Sequence, residues 1–243
     1  MPRLRVIYES KGAAREYAAK AVTLYRGCGH GCIYCYVPGV LRMTRADWAA
    51  MDATPRKGIL ENLEHDCQIL ELEGCHDEIM LCLMADPYHP GDTTVTGKAL
   101  DIIGRHGLNA TVLTKGGLRA NMDFDLFKKY RFRFGSSIVS LEEAYCEVLE
   151  PRAASVNSSR RAAILQAHEM GIKTWVSLEP VINPEHALSV IRQTHSIVDH
   201  YMIGKINHSA DLGKGVDWVK FRLDATELLD SLGASYTFKK SLS

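Results

Sequence analysis

The chain has 243 residues, 29 of them Lys or Arg and 29 Asp or Glu, and so carries no net charge. That balance removes the simplest argument for binding a polyanion over a long footprint, although a local basic patch is compatible with it. The composition is that of an ordinary globular protein with room for a substantial core, and no apolar run approaches a membrane span. Met1 to Glu9 lack the apolar core of a signal peptide, and seven cysteines without a secretory address point to a reducing, cytoplasmic setting.

In chain order, residues 1–20 are mixed and polar, with Lys11 to Tyr17 read as a loop or short helix. Ala21 to Tyr25 reads as a first strand, and it runs into Cys28-Gly29-His30-Gly31-Cys32-Ile33-Tyr34-Cys35-Tyr36. Thiolates are soft ligands, so three cysteines at spacings of four and three read first as a metal or iron–sulfur site. An iron–sulfur cube takes four ligands, and three cysteines leave one iron open. Gly27, Gly29 and Gly31 let the backbone curl until the three side chains face one object. The other readings are a zinc site completed by His30 or a remote ligand, or a cysteine-rich loop without metal.

Asp47 to Ala53 suits a helical turn, and apolar spacing predicts a helix over Pro55 to Gly74, with Pro55 near its start. Glu78 to Met84 is a second strand, stopped by Asp86-Pro87, and a helix follows over Thr96 to Arg105. Asn109 to Thr114 is a third strand, Leu118 to Tyr130 a helical segment, and Arg131 to Ile138 a fourth strand. Helices near Glu142–Leu149 and Ser159–Met170 lead to a fifth strand at Lys173–Leu178. Pro184 to His195 is helical, Tyr201 to Ile206 is a sixth strand, and Asp217 to Leu232 is a final amphipathic helix. Six strand-then-helix units predict an α/β fold with a parallel sheet. With no linker or break in composition, residues 1–243 read as one domain, with the cysteine loop at 26–38.

In α/β architectures the site gathers at the carboxyl ends of the strands. The first strand leads to the cysteine loop, the second to Asp86, the third to Lys115 and the fourth to Ser136-Ser137. The fifth leads to Glu179 and the sixth to Lys205, Asn207 and His208. A carboxylate, an ammonium and an amide at Glu179, Lys205 and Asn207 match a hydrogen-bonding heterocycle or a zwitterion. The bland alternative is a Glu179–Lys205 salt bridge tying adjacent strands. Cys67, Cys75 and Cys146 are scattered without ligand spacing, Cys67 on an apolar helix face, and Trp175 reads as packing.

The C-x3-C-x2-C spacing with an aromatic before the last cysteine resembles the signature of the radical S-adenosylmethionine (radical SAM) enzymes. The resemblance implies a partial (β/α)6 barrel and a 4Fe–4S cluster held by Cys28, Cys32 and Cys35. It implies S-adenosylmethionine bound at the fourth iron, its reductive cleavage to a 5′-deoxyadenosyl radical, and a flavodoxin- or ferredoxin-like electron donor. From about Tyr25 to Pro184, Asp86-Pro87-Tyr88, Thr114-Lys115, Ser137-Ile138 and Leu149-Glu150-Pro151-Arg152 resemble the spore photoproduct lyase branch.

Carried over from that branch, Tyr34 lies near the adenine while Lys115 and Ser137 hold the methionine carboxylate. Lysine supplies a point charge and serine a donor beside it, and Ser136 could serve equally. A solvated turn lysine is the other reading of Lys115. Asp86 faces the amino group of S-adenosylmethionine or caps a turn before Pro87. Cys82 lies near the place of the lyases' hydrogen-donor cysteine, one residue farther from Asp86, and also reads as a buried strand cysteine. Tyr36, after the third cysteine, joins the catalytic candidates.

The function expected is therefore that of a radical SAM enzyme acting on a nucleobase, nucleotide or nucleic acid, with no membrane partner. The same chemistry on a peptide or metabolite is a second reading, and a non-catalytic zinc or iron–sulfur module a third.

Overall fold

The computed structural model describes residues 4–151, 154–206 and 211–242. Short apolar runs form its central sheet. Strands β1 (Ile7–Glu9) and β2 (Lys20–Val22) pair antiparallel at one edge. Chain then leaves the sheet: β3 (Tyr25–Arg26) pairs with β4 (Thr54–Pro55) in a separate hairpin enclosing the cysteine loop, α1 (Val37–Leu41) and α2 (Arg45–Ala50). Helix α3 (Ile59–Leu72) returns the chain to β5 (Glu78–Leu81), which lies parallel to β2.

Helix α4 (Thr94–Arg105), β6 (Asn109–Thr114), α5 (Phe124–Tyr130), β7 (Arg133–Ser137), α6 (Glu143–Leu149), α7 (Asn157–Glu169) and β8 (Lys173–Val181) follow. The described chain ends with α8 (Pro184–Thr194), β9 (His200–Lys205), α9 (Trp218–Ser231), β10 (Tyr236–Phe238) and a 3₁₀ turn at Lys240–Leu242. The sheet order is β1-β2-β5-β6-β7-β8-β9-β10, parallel throughout except for β1. Helices cover its outer face, a partial barrel of the kind expected.

Two packing layers hold it. Outside, Leu63 and Cys67 of α3, Leu100 and Ile103 of α4, Phe124 and Phe127 of α5 and Ile164 of α7 bury against the strands. Each such Leu, Ile or Phe side chain contributes about 1.5–3 kcal/mol of apolar transfer. Inside, Ala18, Ala21, Met80, Trp175 and Met202 form a small second core. A Cβ on Gly135 would lie 2.3 Å from the Trp175 ring, so the indole of β8 occupies the space that a side chain on β7 would need.

Several boundaries differ from expectation. The first predicted strand is divided because the Leu24 carbonyl accepts from the Arg56 amide at 2.9 Å, drawing the chain out of the sheet. Pro55 lies in the hairpin, not at a helix start, and α3 begins after Gly58 in a left-handed turn (φ 66°). The second strand stops at Leu81 because Cys82 turns left-handed, φ 64°. Residues 117–123 form a 3₁₀ segment before α5. The fifth predicted strand continues to Val181, with a register irregularity between Leu178 and Val181. Strands β1 and β10 are additions at the two sheet edges. Among the described residues no helix is long and apolar enough to cross a membrane.

Candidate functional site

A cavity of about 420 Å³ opens at the carboxyl ends of the parallel strands. Cys28, Cys32 and Cys35 line one side of it, with Tyr34 and Tyr36 from the same loop. Cys82, Lys115, Ser137, Glu179 and Lys205 reach it from five successive strands, and Met80 and Leu113 contribute apolar surface. Asn207 lies outside the described residues.

Gly27, Gly29 and Gly31 all have positive φ (77°, 73° and 66°), which lets the loop coil back on itself. At Gly27 the demand is steric as well: a Cβ would stand 2.4 Å from the Asp52 carbonyl oxygen on the hairpin's far arm. The Ile33 amide donates to the Leu149 carbonyl (2.9 Å) and Arg45 Nη1 donates to the Cys35 carbonyl (2.9 Å). Burial pushes all three thiols up, Cys32 to about 12. They are therefore protonated unless a cationic centre compensates for the desolvated thiolates.

Among the described residues no three His, Cys, Asp or Glu side chains converge closely enough for a single metal ion. Three sulfurs lining one cavity are the ligand set of an iron–sulfur cube with one corner left open. His30, the alternative zinc ligand, is buried. Burial lowers its pKa to about 4, its Nδ1 lies 3.7 Å from Asp86 Oδ2, and its Nε2 has no hydrogen-bond partner among the described residues.

Asp86 organises the loop after β5. Its Oδ1 accepts from the Tyr88 amide (2.8 Å) and the Thr114 hydroxyl (2.5 Å), and its Oδ2 from the Lys115 amide (2.7 Å). Burial opposes its charge, but these donors and His30 outweigh it and hold the carboxyl below its ordinary range. The Tyr88 contact closes the turn before Pro87 that the sequence suggested.

The Lys115 backbone is thus fixed, and its Nζ donates to Ser137 Oγ at 2.7 Å. Ser137 lines the cavity, whereas Ser136 is fully buried and its hydroxyl donates to the Thr114 carbonyl (3.2 Å). Pleating separates the two serines as the alternation of a strand requires. Lys115 is partly buried: Nζ lies 3.8 Å from Glu150 Oε1 and 5.6 Å from the centre of the Tyr34 ring.

Glu150 and Arg160 lie buried behind this wall, and neither was singled out as a site residue. The buried Glu150 carboxylate accepts from the Tyr34 hydroxyl and pairs with the Arg160 guanidinium. Burial disfavours its charge, but Lys115 and Arg160 outweigh that and hold its pKa down. Arg160 also donates to the Ser155 and Ser137 carbonyls, both at 2.9 Å. The signal for Glu150 was its place in Leu149-Glu150-Pro151-Arg152; Arg160, inside a helix rich in polar residues, had none.

On the other wall, Glu179 pairs with Lys239, not with Lys205. Lys239 Nζ lies 2.6 Å from Glu179 Oε2, and the Tyr17 hydroxyl donates to the same oxygen. The Tyr17 hydroxyl also lies 3.0 Å from Ser177 Oγ. Gly204 on β9 leaves the room: a Cβ there would stand 3.0 Å from the Glu179 carboxyl. Lys205 lines the cavity half-buried. Tyr36 donates to the Leu83 carbonyl (2.6 Å). Cys82 is buried at the cavity wall and also touches the main core, and burial pushes its thiol up to about 12.

Comparison with protein-family models and with curated proteins gives no match. Solved structures do match. Streptococcus suis SuiB bound to S-adenosylmethionine superposes with a TM-score of 0.69 at 12% identity, over 90% of this chain and 49% of SuiB. Spore photoproduct lyase complexed with dinucleoside spore photoproduct gives 0.69 at 16% identity, over 95% of this chain and 79% of the lyase. A radical SAM methyltransferase from Sphaerobacter thermophilus gives 0.58 at 16% identity, over 90% and 66%. The chain spans about half the length of SuiB. These neighbours are radical SAM enzymes, and the partial barrel described above is their fold.

Proposed function

We propose that this chain is a radical SAM enzyme built as a single domain, with residues 26–38 as its cluster loop. The observation that carries the reading is the convergence of Cys28, Cys32 and Cys35 with Lys115, Ser137 and Tyr34 on one cavity at the strands' carboxyl ends. A 4Fe–4S cluster held by the three cysteines supplies the one-electron reductive cleavage of S-adenosylmethionine, the source of a 5′-deoxyadenosyl radical.

The chain's own residues bind and orient. Lys115 and Ser137, already 2.7 Å apart, present an ammonium and a hydroxyl to the methionine carboxylate. Asp86 acts through position, because its oxygens are committed to Tyr88, Thr114 and Lys115. Tyr34, held by Glu150, would lie beside the adenine. Tyr36 and Cys82 border the space where the reacting substrate would sit, with Glu179 and Lys205 reading its polar groups.

The substrate class we favour is a nucleobase or nucleotide. Supporting it, the likeness to the dinucleoside-bound lyase accounts for 79% of that chain, against 49% of SuiB. Anaerobic turnover with candidate nucleotides deuterated at the base and sugar tests the reading. Deuterium entering 5′-deoxyadenosine supports it; cleavage that is never coupled to any nucleotide, but is coupled to a peptide, overturns the substrate class.

A further inference from the structure

Among the described residues, the lysines and carboxylates that line the main cavity are Lys11, Lys115, Lys205, Lys239, Asp86 and Glu179. Cations outnumber anions, and both anions are already satisfied within the chain. Asp86 accepts from Tyr88, Thr114 and Lys115, and Glu179 pairs with Lys239. Lys115 donates to Ser137 and stands 3.8 Å from the buried Glu150. The ammonium groups of Lys11 and Lys205 have neither a hydrogen-bond nor an ion-pair partner among the described residues.

These two lysines stand apart from Lys115. Lys205 ends β9, three strands beyond the β6 that leads to Lys115, or about 14 Å along the sheet. Lys11 belongs to the segment between β1 and β2, which is fastened beside Glu179. Tyr17 of that segment donates to Glu179, and Glu16 accepts from the Lys240 amide at 2.8 Å. Lys205 is half-buried and Lys11 is exposed, so the pair runs from the cavity wall to its mouth. S-adenosylmethionine would not neutralise them, because its carboxylate is taken by Lys115 and Ser137 and the molecule is a net cation.

From this surplus we infer that Lys205 and Lys11 form a subsite for a phosphomonoester, and that the substrate is a nucleoside monophosphate. The inference rests on the function proposed above and narrows its substrate class. Two unpaired ammonium groups match a phosphomonoester, which carries about 1.5–2 negative charges at pH 7. Each lysine brings donors and a point charge to phosphate oxygens. A bare nucleobase or nucleoside would leave the half-buried Lys205 without a counter-ion. A phosphodiester, with a single negative charge, would leave one of the two lysines unmatched. The chain is neutral overall, so the excess that selects an anion is local to this cavity.

The test is calorimetric titration of anaerobically reconstituted protein saturated with S-adenosylmethionine. The probes are the common ribonucleosides, their 5′-monophosphates and a dinucleoside phosphate. At least one monophosphate should bind about tenfold more tightly than its nucleoside and than the dinucleoside phosphate, an advantage that shrinks with added salt. Lys205→Gln should reduce the advantage, and the double variant Lys11→Gln, Lys205→Gln should abolish it. Lys205→Arg should keep most of it, and all three variants should keep their iron and their S-adenosylmethionine affinity. Monophosphates that bind no more tightly than nucleosides, or not at all at millimolar concentration, would overturn the subsite. So would an advantage that survives in the double variant. A dinucleoside phosphate that binds as tightly as the best monophosphate would overturn the assignment to a monoester. Absence of iron or of S-adenosylmethionine binding in the unmodified protein would instead overturn the functional reading, so the two failures are distinct.

Discussion

Lys239, from just beyond the last strand, pairs with Glu179 of β8, and its ammonium lies 3.9 Å from the centre of the Tyr17 ring. Beside it, the Lys240 amide donates to Glu16 at 2.8 Å. The beginning and end of the described chain therefore meet across the open side of the partial barrel, and they meet at a residue of the cavity wall. Lys239 is almost completely buried. Removing one partner of a buried pair leaves a desolvated charge, costing about 3–5 kcal/mol. Lys239→Met should therefore destabilise the protein strongly in urea unfolding, and Lys239→Met with Glu179→Gln should restore part of the loss. A double variant no more stable than Lys239→Met would show that the carboxylate is not what suffers.

Glu179→Gln on its own separates structure from chemistry. The amide keeps an acceptor for Tyr17 and Lys239 but removes the charge. If Glu179 reads the substrate, the variant should retain its cluster and uncoupled cleavage to 5′-deoxyadenosine yet lose product. Loss of cleavage and folding stability together would leave Glu179 only its structural contacts with Tyr17 and Lys239.

Lys115→Ala should weaken S-adenosylmethionine binding by about tenfold to a hundredfold, the equivalent of a charge-assisted hydrogen bond of roughly 1.5–3 kcal/mol. The fold should be spared, because Glu150 retains Arg160 and Tyr34 as partners. Unchanged affinity by calorimetry, with an intact cluster, would leave Lys115 only its structural contacts with Ser137 and Glu150.

Away from the cavity, His106 bridges Glu71 (2.6 Å) and Glu64 (2.7 Å), joining the end of α4 to α3. Burial lowers the pKa of its ring, but the hydrogen bonds to Glu71 and Glu64 outweigh this and raise it. A raised histidine pKa stabilises the fold fully below the unfolded-state value of about 6.5, and the contribution disappears as pH rises through the folded-state value. The stability gap between the unmodified protein and His106→Gln should therefore be larger at about pH 5.5 than at about pH 8.5. The partners are partly exposed, so the gap should not exceed about 1 kcal/mol. A gap that widens towards alkaline pH would contradict the assignment.

What was legible in the sequence followed from locality. The six parallel strands were visible because runs such as Asn109–Thr114 and Tyr201–Ile206 are short, apolar and bounded by turns. Asp86, Lys115 and Ser137 were visible because each ends such a run. Tyr236–Phe238 was missed because a three-residue strand between a helix and a lysine pair carries little periodicity. The Glu179–Lys239 pair was missed for a different reason. Its members are 60 residues apart, and Tyr17 and Glu179 are 162 apart. The parallel order β8-β9-β10 brings Lys239 to Glu179 across β9, a placement no local pattern marks, so the nearer Lys205 stood in for Lys239. Glu150 and Arg160 show the same limit, since a buried ion pair inside polar sequence looks like two solvated side chains.

The central claim is that Cys28, Cys32 and Cys35 hold one oxygen-sensitive 4Fe–4S cluster, and iron and sulfide content after anaerobic reconstitution tests it most directly. The account predicts four irons and four sulfides per chain, as the cluster's formula requires. Replacing any one of the three cysteines by Ala should abolish them, whereas Cys67→Ala and Cys146→Ala, at buried cysteines that do not line the cavity, should leave them unchanged. Stoichiometric zinc in a tetrahedral site, with no iron or sulfide in protein prepared without oxygen, would contradict it.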